Sequence, residues 1–274
     1  MEVENLYIIK IGGNVIDNPA ALNSFTKDFA AIEGKKILVH GGGKIATKIG
    51  EKLGIESKYI NGRRITDDDT IHLVTMVYGG LVNKQIVAQL QALQCNAIGL
   101  TGADANIIPA QKRPPVSLSV GENQALVDFG WVGDIARENL NIENLMSIIG
   151  HNFAPVFAPL THDGQGHVLN TNADTIASSL AVGLSAFFNV RLIYCFEKKG
   201  VLENMEDENS VIRNINKEKY QQLLDGNRLF EGILPKIENA FAAIDAGVQQ
   251  VLIGDAKDLL INTTNNNQGT LITQ

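Results

Sequence analysis

At 274 residues the chain is long enough to bury about three quarters of its unfolded surface, as one large domain or two small lobes. Hydrophobic residues at 45% and charged residues at 19%, with seven prolines, describe a globular chain and exclude disorder. Twenty-three basic against thirty acidic residues leave a net charge of −7, which disfavours nucleic acid or an anionic membrane as the main partner, though not a local basic pocket for a small anion.

Cys95 and Cys195 are too few and too far apart for a disulfide framework or a four-ligand zinc site. The acidic start does not fit a signal peptide, and no apolar run reaches the roughly 18 residues that span a bilayer. A soluble, cytoplasmic protein is expected. The unusual count is 26 glycines, and their positions carry the rest of the reading.

In chain order, an apolar strand over 6–11 ends in Gly12-Gly13, and a helix follows over 20–33. A second strand over 36–40 ends in Gly41-Gly42-Gly43 and leads to a helix over 44–53. Residues 59–66 read as a hairpin turning at Asn61-Gly62. Helical period runs over 67–93, broken at Gly79-Gly80, with Asp67-Asp68-Asp69 as an acidic first turn. Short strands are expected over 98–100, 106–108 and 125–132, with Pro114-Pro115 in a loop. A helix over 142–149, a strand over 153–158 and a polar turn over 161–166 precede a helix over 170–184. A strand over 190–195, an acidic loop over 203–208 and a helix over 217–224 come next. Pro235 opens a helix to 246, a strand spans 250–253, and an Asn-rich surface loop over 262–267 precedes an edge strand over 270–273. Strand, glycine turn and helix in repeated order predict an α/β fold, with a parallel sheet covered by helices on both faces. No linker or repeat divides the chain, so two lobes sharing one sheet fit best.

Four constellations could carry chemistry. Lys10-Ile11-Gly12-Gly13 puts a lysine at the carboxyl end of a strand, where open α/β sheets bind ligands, beside glycines whose N–H groups can approach phosphate. A strand-terminal lysine snorkelling to solvent is the equal alternative. His40-Gly41-Gly42-Gly43 between strand and helix forms either an anion site, built from orphan N–H groups and the helix dipole, or only a turn. Gly41 to Ala46 also satisfies G-x-G-x-x-A, but the acidic residue that nicotinamide enzymes need some 20 positions on is replaced by Asn61-Gly62-Arg63-Arg64. No Walker sequence exists. Gly232-Ile233-Leu234-Pro235-Lys236 places a lysine in a helix first turn, against the dipole, where either an anion offsets it or it stands exposed and bears a small penalty. Asn170-Thr171-Asn172-Ala173-Asp174 is a helix cap whose carboxylate can also hold a lysine, and Arg64 is either a carboxylate fork or a surface arginine. The five histidines, His40, His72, His151, His162 and His167, lack metal-ligand spacing.

Taken in order, these segments, with Asn83-Lys84 at the end of 79–84, 127–133 and Gly269-Thr270, resemble the amino-acid kinase family and, within it, the acylglutamate kinases. The resemblance covers essentially the whole chain. It implies a three-layer α-β-α sandwich around a mainly parallel, roughly eight-stranded sheet, with an N-terminal lobe (1–168) that binds an acylated amino acid and dimerises, and a C-terminal lobe (169–274) that binds ATP with Mg2+. It implies that Lys10 and Lys236 neutralise the phosphoryl group in flight and that Asp174 holds both. Gly12, Gly13 and Gly200 fall on the nucleotide side; Gly41, Gly42, Gly43, Arg64 and Asn170 fall on the substrate side. The implied reaction is ATP-dependent phosphorylation of the γ-carboxylate of N-acetyl-L-glutamate, in arginine and ornithine biosynthesis. N-succinyl-L-glutamate as acceptor, or a non-catalytic ligand-binding homologue, are the alternatives. No protein-held metal is implied, and the expected assembly is a homodimer insensitive to arginine. Two departures from the family pattern stand out: Glu197-Lys198-Lys199-Gly200 beside the nucleotide, and Arg63, an extra cation by the acyl pocket.

Overall fold

A computed structural model describes residues 3–120, 123–204, 206–226, 228–229 and 233–274. Gly232, the first residue of one motif above, lies outside them. The chain begins with β1 (Asn5–Ile11), a short α1 (Gly13–Ile16), α2 (Pro19–Ala31), β2 (Lys35–His40) and α3 (Gly43–Leu53). The hairpin forms as β3 (Tyr59–Ile60) and β4 (Arg63–Arg64), paired antiparallel. Then come α4 (Asp68–Val74), a π-helical stretch (Thr75–Val82), α5 (Asn83–Ala92) and β5 (Ala97–Leu100). Short strands follow: β6 (Gln111–Lys112), β7 (Val116–Val120), β8 (Asn123–Val127) and β9 (Gly133–Asp134). The chain continues through α6 (Ile142–Gly150), β10 (Ala154–Phe157), β11 (Leu160–His162), β12 (Val168–Asn170), α7 (Ala173–Leu184) and β13 (Asn189–Phe196). It closes with β14 (Asn214–Ile215), α8 (Lys217–Asp225), α9 (Leu234–Asp245), β15 (Gln250–Asp255), α10 (Leu259–Asn262) and β16 (Thr270–Ile272).

Eight strands form one sheet in the order β14-β16-β15-β13-β1-β2-β10-β5. Every neighbouring pair in it is parallel except β15 and β16. Buried-strand composition makes both faces apolar, and successive residues serve opposite faces. Leu6 and Ile8 of β1 pack with Ile176 and Leu180 of α7 and Ile237 and Ala240 of α9. Ile9 and Ile11 pack on the other side with Phe25 and Phe29 of α2 and Ile86 of α5. This parity fixes the site: Lys10 continues the even face toward α7 and α9, whereas His40, following Leu38, continues the face toward α2 and α5. β1 is flanked by β2 and by β13, so its carboxyl end lies where the order turns, the usual position for a ligand crevice.

Several expectations are corrected. Gly79-Gly80 does not break the helix; the chain passes through them in π geometry, with Val77, Tyr78 and Val82 buried. Burying these side chains outweighs a glycine propensity cost of about 1 kcal/mol per residue. Residues 106–108 are no strand. Asp104 accepts hydrogen bonds from the Thr101 N–H at 2.6 Å and its hydroxyl at 2.9 Å, and the resulting local turn puts Ala105 and Asn106 at positive φ. The helix expected from 170 starts at Ala173, because Asn172 caps it through the N–H groups of Asp174 and Thr175, leaving Asn170 to end β12. Pro235 is the second helical residue of α9 rather than the first. The last strand is antiparallel and internal, with β14 outside it. Asn262 is not on the surface but fully buried, accepting from the Gln268 N–H. Among the described residues, no helix is long and apolar enough to cross a membrane.

Candidate active site

The sheet parity brings Lys10 to the first turns of two helices. Asp174, near the start of α7, lies 2.8 Å from the Lys10 Nζ through one oxygen and 3.2 Å from the Lys236 Nζ through the other. Because Asn172 does the capping, the Asp174 carboxylate is free to face the lysines. Lys236 sits in the first turn of α9, where the dipole opposes it, and Asp174 supplies the offsetting anion. Its ammonium also stands 5.7 Å from the Phe196 ring centroid. Burial pushes the Asp174 carboxyl up, but Lys10 and Lys236 overcome it and hold it below the ordinary carboxylate range. The cluster of two cations and one anion keeps one net positive charge.

Both glycine turns lie beside it. A Cβ on Gly12 would come 3.8 Å from the Lys10 Nζ, and one on Gly41 would lie 3.9 Å from the Gly13 N and 4.0 Å from the Gly12 Cα. Among the described residues, none of the N–H groups of Gly12, Gly13, Gly42 and Gly43 has a protein acceptor. Gly42 must be glycine for a close approach: a Cβ there would meet the Tyr78 ring at 2.9 Å. The result is a set of N–H donors without a protein acceptor at two helix N-termini next to a net cation, an arrangement suited to phosphate oxygens.

Arg64 joins this edge. It donates to the Gly43 carbonyl and the Thr47 hydroxyl, each at 3.0 Å, bonds Ser57 Oγ, and lies over the Tyr59 ring at 4.9 Å. It is therefore a placed fork at the glycine turn and not a loose surface residue. Arg63, the next residue of the strand, points to the opposite side and is exposed. Asn170 donates to the Thr66 hydroxyl at 3.0 Å, tying β12 to the segment after β4. Gly200 lies apart from these groups, four residues beyond β13. Its lack of a side chain answers to packing, since a Cβ would meet the Thr270 hydroxyl at 2.6 Å.

Burial pushes the Cys195 thiol, one strand over, up to about 12, so no thiolate nucleophile stands beside Lys10 at neutral pH. Burial raises the Tyr194 phenol too, reinforced by Asp174. Tyr78 and His40, which contact the glycine turn, and Asn83, which contacts His40, lie outside the expected site residues. Tyr78 stands just before the expected break at Gly79-Gly80, and Asn83-Lys84 stands out as a motif without an assigned use.

Two cations on one carboxylate, beside paired glycine turns at the carboxyl ends of parallel strands, make a net-positive site whose chemistry suits phosphate-bearing anions. Residues 5–255 match the model of the amino acid kinase family, and the chain belongs to that family. It is 54% identical to the acetylglutamate kinase of Cytophaga hutchinsonii over 94% of both chains. It is 55% identical to that of Bacteroides fragilis, over 91% of this chain and 92% of the relative. A Streptococcus mutans protein of known crystal structure superposes with a TM-score of 0.73 at 30% identity, covering 98% of each chain.

Proposed function

We infer that the protein is an enzyme that transfers the γ-phosphoryl group of ATP to the γ-carboxylate of N-acetyl-L-glutamate, giving ADP and an acyl phosphate in amino-acid biosynthesis. The observation that carries this reading is the Lys10–Asp174–Lys236 cluster beside unpaired glycine N–H groups, in a chain more than half identical to acetylglutamate kinases. N-Succinyl-L-glutamate is not favoured, since Arg63, the cation that would suit a second carboxylate, is exposed.

A carboxylate oxygen attacks the γ-phosphorus as the bond to the bridging oxygen of ADP breaks. Both partners are anions, so the barrier is lowered by placing cations at their meeting point. At an effective dielectric near 20, two unit charges 4 Å apart interact by about 4 kcal/mol. Lys10 and Lys236 would flank the phosphoryl group, and Asp174 would keep both ammoniums from turning to solvent. Gly12 and Gly13 would donate N–H groups on the nucleotide side, with the Gly200 backbone further along it. The turn of Gly41, Gly42 and Gly43 would serve the acceptor end. Arg64 would take the α-carboxylate and Asn170 the acylamino group.

Among the described residues no cluster of three His, Cys, Asp or Glu side chains could hold a metal ion, and Asp174 is committed to two lysines. Mg2+ would enter on the phosphate oxygens of ATP. The chain would work as a soluble cytoplasmic homodimer. Its acceptor half (1–168) and nucleotide half (169–274) would share the sheet, as the split of its strands on either side of the β1–β13 pair supports. The test is ADP release with N-acetyl-L-glutamate, N-succinyl-L-glutamate, glutamate, aspartate and carbamate. Preference for the first is expected; preference for any other, or ATP binding without turnover, would overturn the reading.

A further inference from the structure

We propose that His40 is a positioning residue: its neutral imidazole holds the Gly41 carbonyl and thereby turns the Gly42 N–H away from the ring, outward as an anion donor. The proposal rests on the phosphoryl-transfer reading for what that N–H does, but the geometry stands by itself. His40 ends β2 on the face toward α5 and is fully buried. Its Nδ1 lies 2.7 Å from the Gly41 oxygen, and its Nε2 lies 3.2 Å from the Nδ2 of Asn83, itself 1% exposed.

Which nitrogen carries the proton follows from the ends of this chain of bonds. Asn83 Nδ2 also lies 2.8 Å from the Val156 carbonyl, which can only accept, and Asn83 Oδ1 accepts from the Lys84 ammonium at 3.2 Å. Asn83 therefore presents N–H to His40, so Nε2 is the acceptor. The Gly41 oxygen can only accept, so Nδ1 is the donor. A doubly protonated ring would set Nε2–H against Asn83 N–H. Lys84 is pinned in turn by the Gly99 carbonyl at 3.0 Å, and Gly99 leaves the room: a Cβ there would fall 2.0 Å from Asn83 Oδ1.

In a trans peptide the C=O and the following N–H point in opposite directions, and the structure has no cis bond among its described residues. Holding the Gly41 oxygen toward the interior thus aims the Gly42 N–H outward. On the other side, the Gly42 carbonyl accepts from the Ala46 N–H at 3.0 Å and the Tyr78 ring closes over Gly42. A glycine turn has many conformations to choose from, and His40 selects one.

Two variants separate this role from packing. His40→Asn keeps an N–H where Nδ1 stood and loses the ε nitrogen. His40→Gln is nearer in volume and reaches Asn83 but has no donor at the δ position. Losing an aligned oxyanion donor lowers kcat by about a hundredfold to a thousandfold, and misaligning one costs less. We expect His40→Asn to lose about threefold in kcat and His40→Gln about thirtyfold or more, at similar melting temperatures and nearly unchanged KM values. Equal activities, or a better Gln variant, would overturn the proposal. If either variant fails to fold, NMR of the wild-type protein labelled with [15N]histidine decides: a proton on Nδ1 with Nε2 bare supports it. The opposite tautomer or an imidazolium at neutral pH overturns it, whether or not the protein phosphorylates N-acetyl-L-glutamate.

Discussion

Lys10 and Lys236 are joined through one carboxylate, with the two oxygens of Asp174 lying 2.8 Å from the first ammonium and 3.2 Å from the second. The three residues come from a strand end and two helix starts separated by more than 60 positions. What unites them is strand parity, because Lys10 shares its face with Leu6 and Ile8, against which α7 and α9 pack.

The first prediction concerns this cluster. Lys10→Ala removes a cation that acts on the phosphoryl group while the apolar core stays intact. It should fold as the wild type does and lose about a hundredfold or more in kcat. Asp174→Asn should lose a comparable factor, because both ammoniums lose their anchor. Steady-state kinetics with circular dichroism as a folding control checks both; turnover near the wild-type rate in Lys10→Ala would remove it from the chemistry.

Arg64 should act on binding. Lysine cannot reproduce a planar fork that meets the Gly43 carbonyl and the Thr47 hydroxyl together. Arg64→Lys should raise KM for N-acetyl-L-glutamate by about tenfold or more, with a smaller change in KM for ATP. Initial rates with each substrate varied in turn give the answer.

A third prediction is one of stability against pH. Burial, with Lys84 also contributing, lowers the His40 pKa to about 4 from 6.5, against the opposing bond to Gly41. Between those values the unfolded chain takes up a proton that the folded ring refuses, so this stabilisation is complete above about 6.5 and is lost as pH falls toward 4. The expected loss is on the order of 3 kcal/mol, and urea titrations of wild type and His40→Asn at pH 7 and 4.5 should show it in the first protein only. Asp174 adds stability above its unfolded value near 3.8 that disappears only as pH falls through its lowered folded value.

Gly200 provides a fourth. A methyl group added there would stand 2.6 Å from Thr270 Oγ1 and 2.8 Å from Val211 Cγ1, so Gly200→Ala should destabilise the fold by about 1–3 kcal/mol. Thermal melts measure this directly, and KM for ATP in the folded fraction reports the backbone's part on the nucleotide side.

Much of this fold was legible in the sequence because local chemistry and tertiary placement agree. Apolar runs ending in Gly12-Gly13 and Gly41-Gly42-Gly43 became β1 and β2, and Asn61-Gly62 turned the hairpin. The residues that failed are those where a contact distant in sequence decided the outcome. Gly79-Gly80 reads as a break, yet the buried Tyr78 and Val82 carry the helix through it. Asn262 reads as a polar surface residue, yet its amide is used inside against Gln268. The Asn170 side chain meets Thr66 across 104 positions. At the site, Lys10, Asp174 and Lys236 were named from strand-end and helix-start positions, which local sequence encodes. His40 reads only as the residue that opens the glycine motif and, by its spacing, as no metal ligand; its own role is not legible, because its partner Asn83, itself bonded to the Val156 carbonyl, is brought to it by α5 and the sheet.

The central claim is that the γ-phosphoryl group of ATP ends on a carboxylate of N-acetyl-L-glutamate. The most direct measurement is 31P NMR of the reaction, with hydroxylamine added afterwards to convert any acyl phosphate to a hydroxamate. A new phosphorus signal should grow with ADP, require N-acetyl-L-glutamate, disappear on hydroxylamine treatment and be absent with Lys10→Ala. ADP appearing with inorganic phosphate alone, with no hydroxamate formed when hydroxylamine is present throughout, would contradict it.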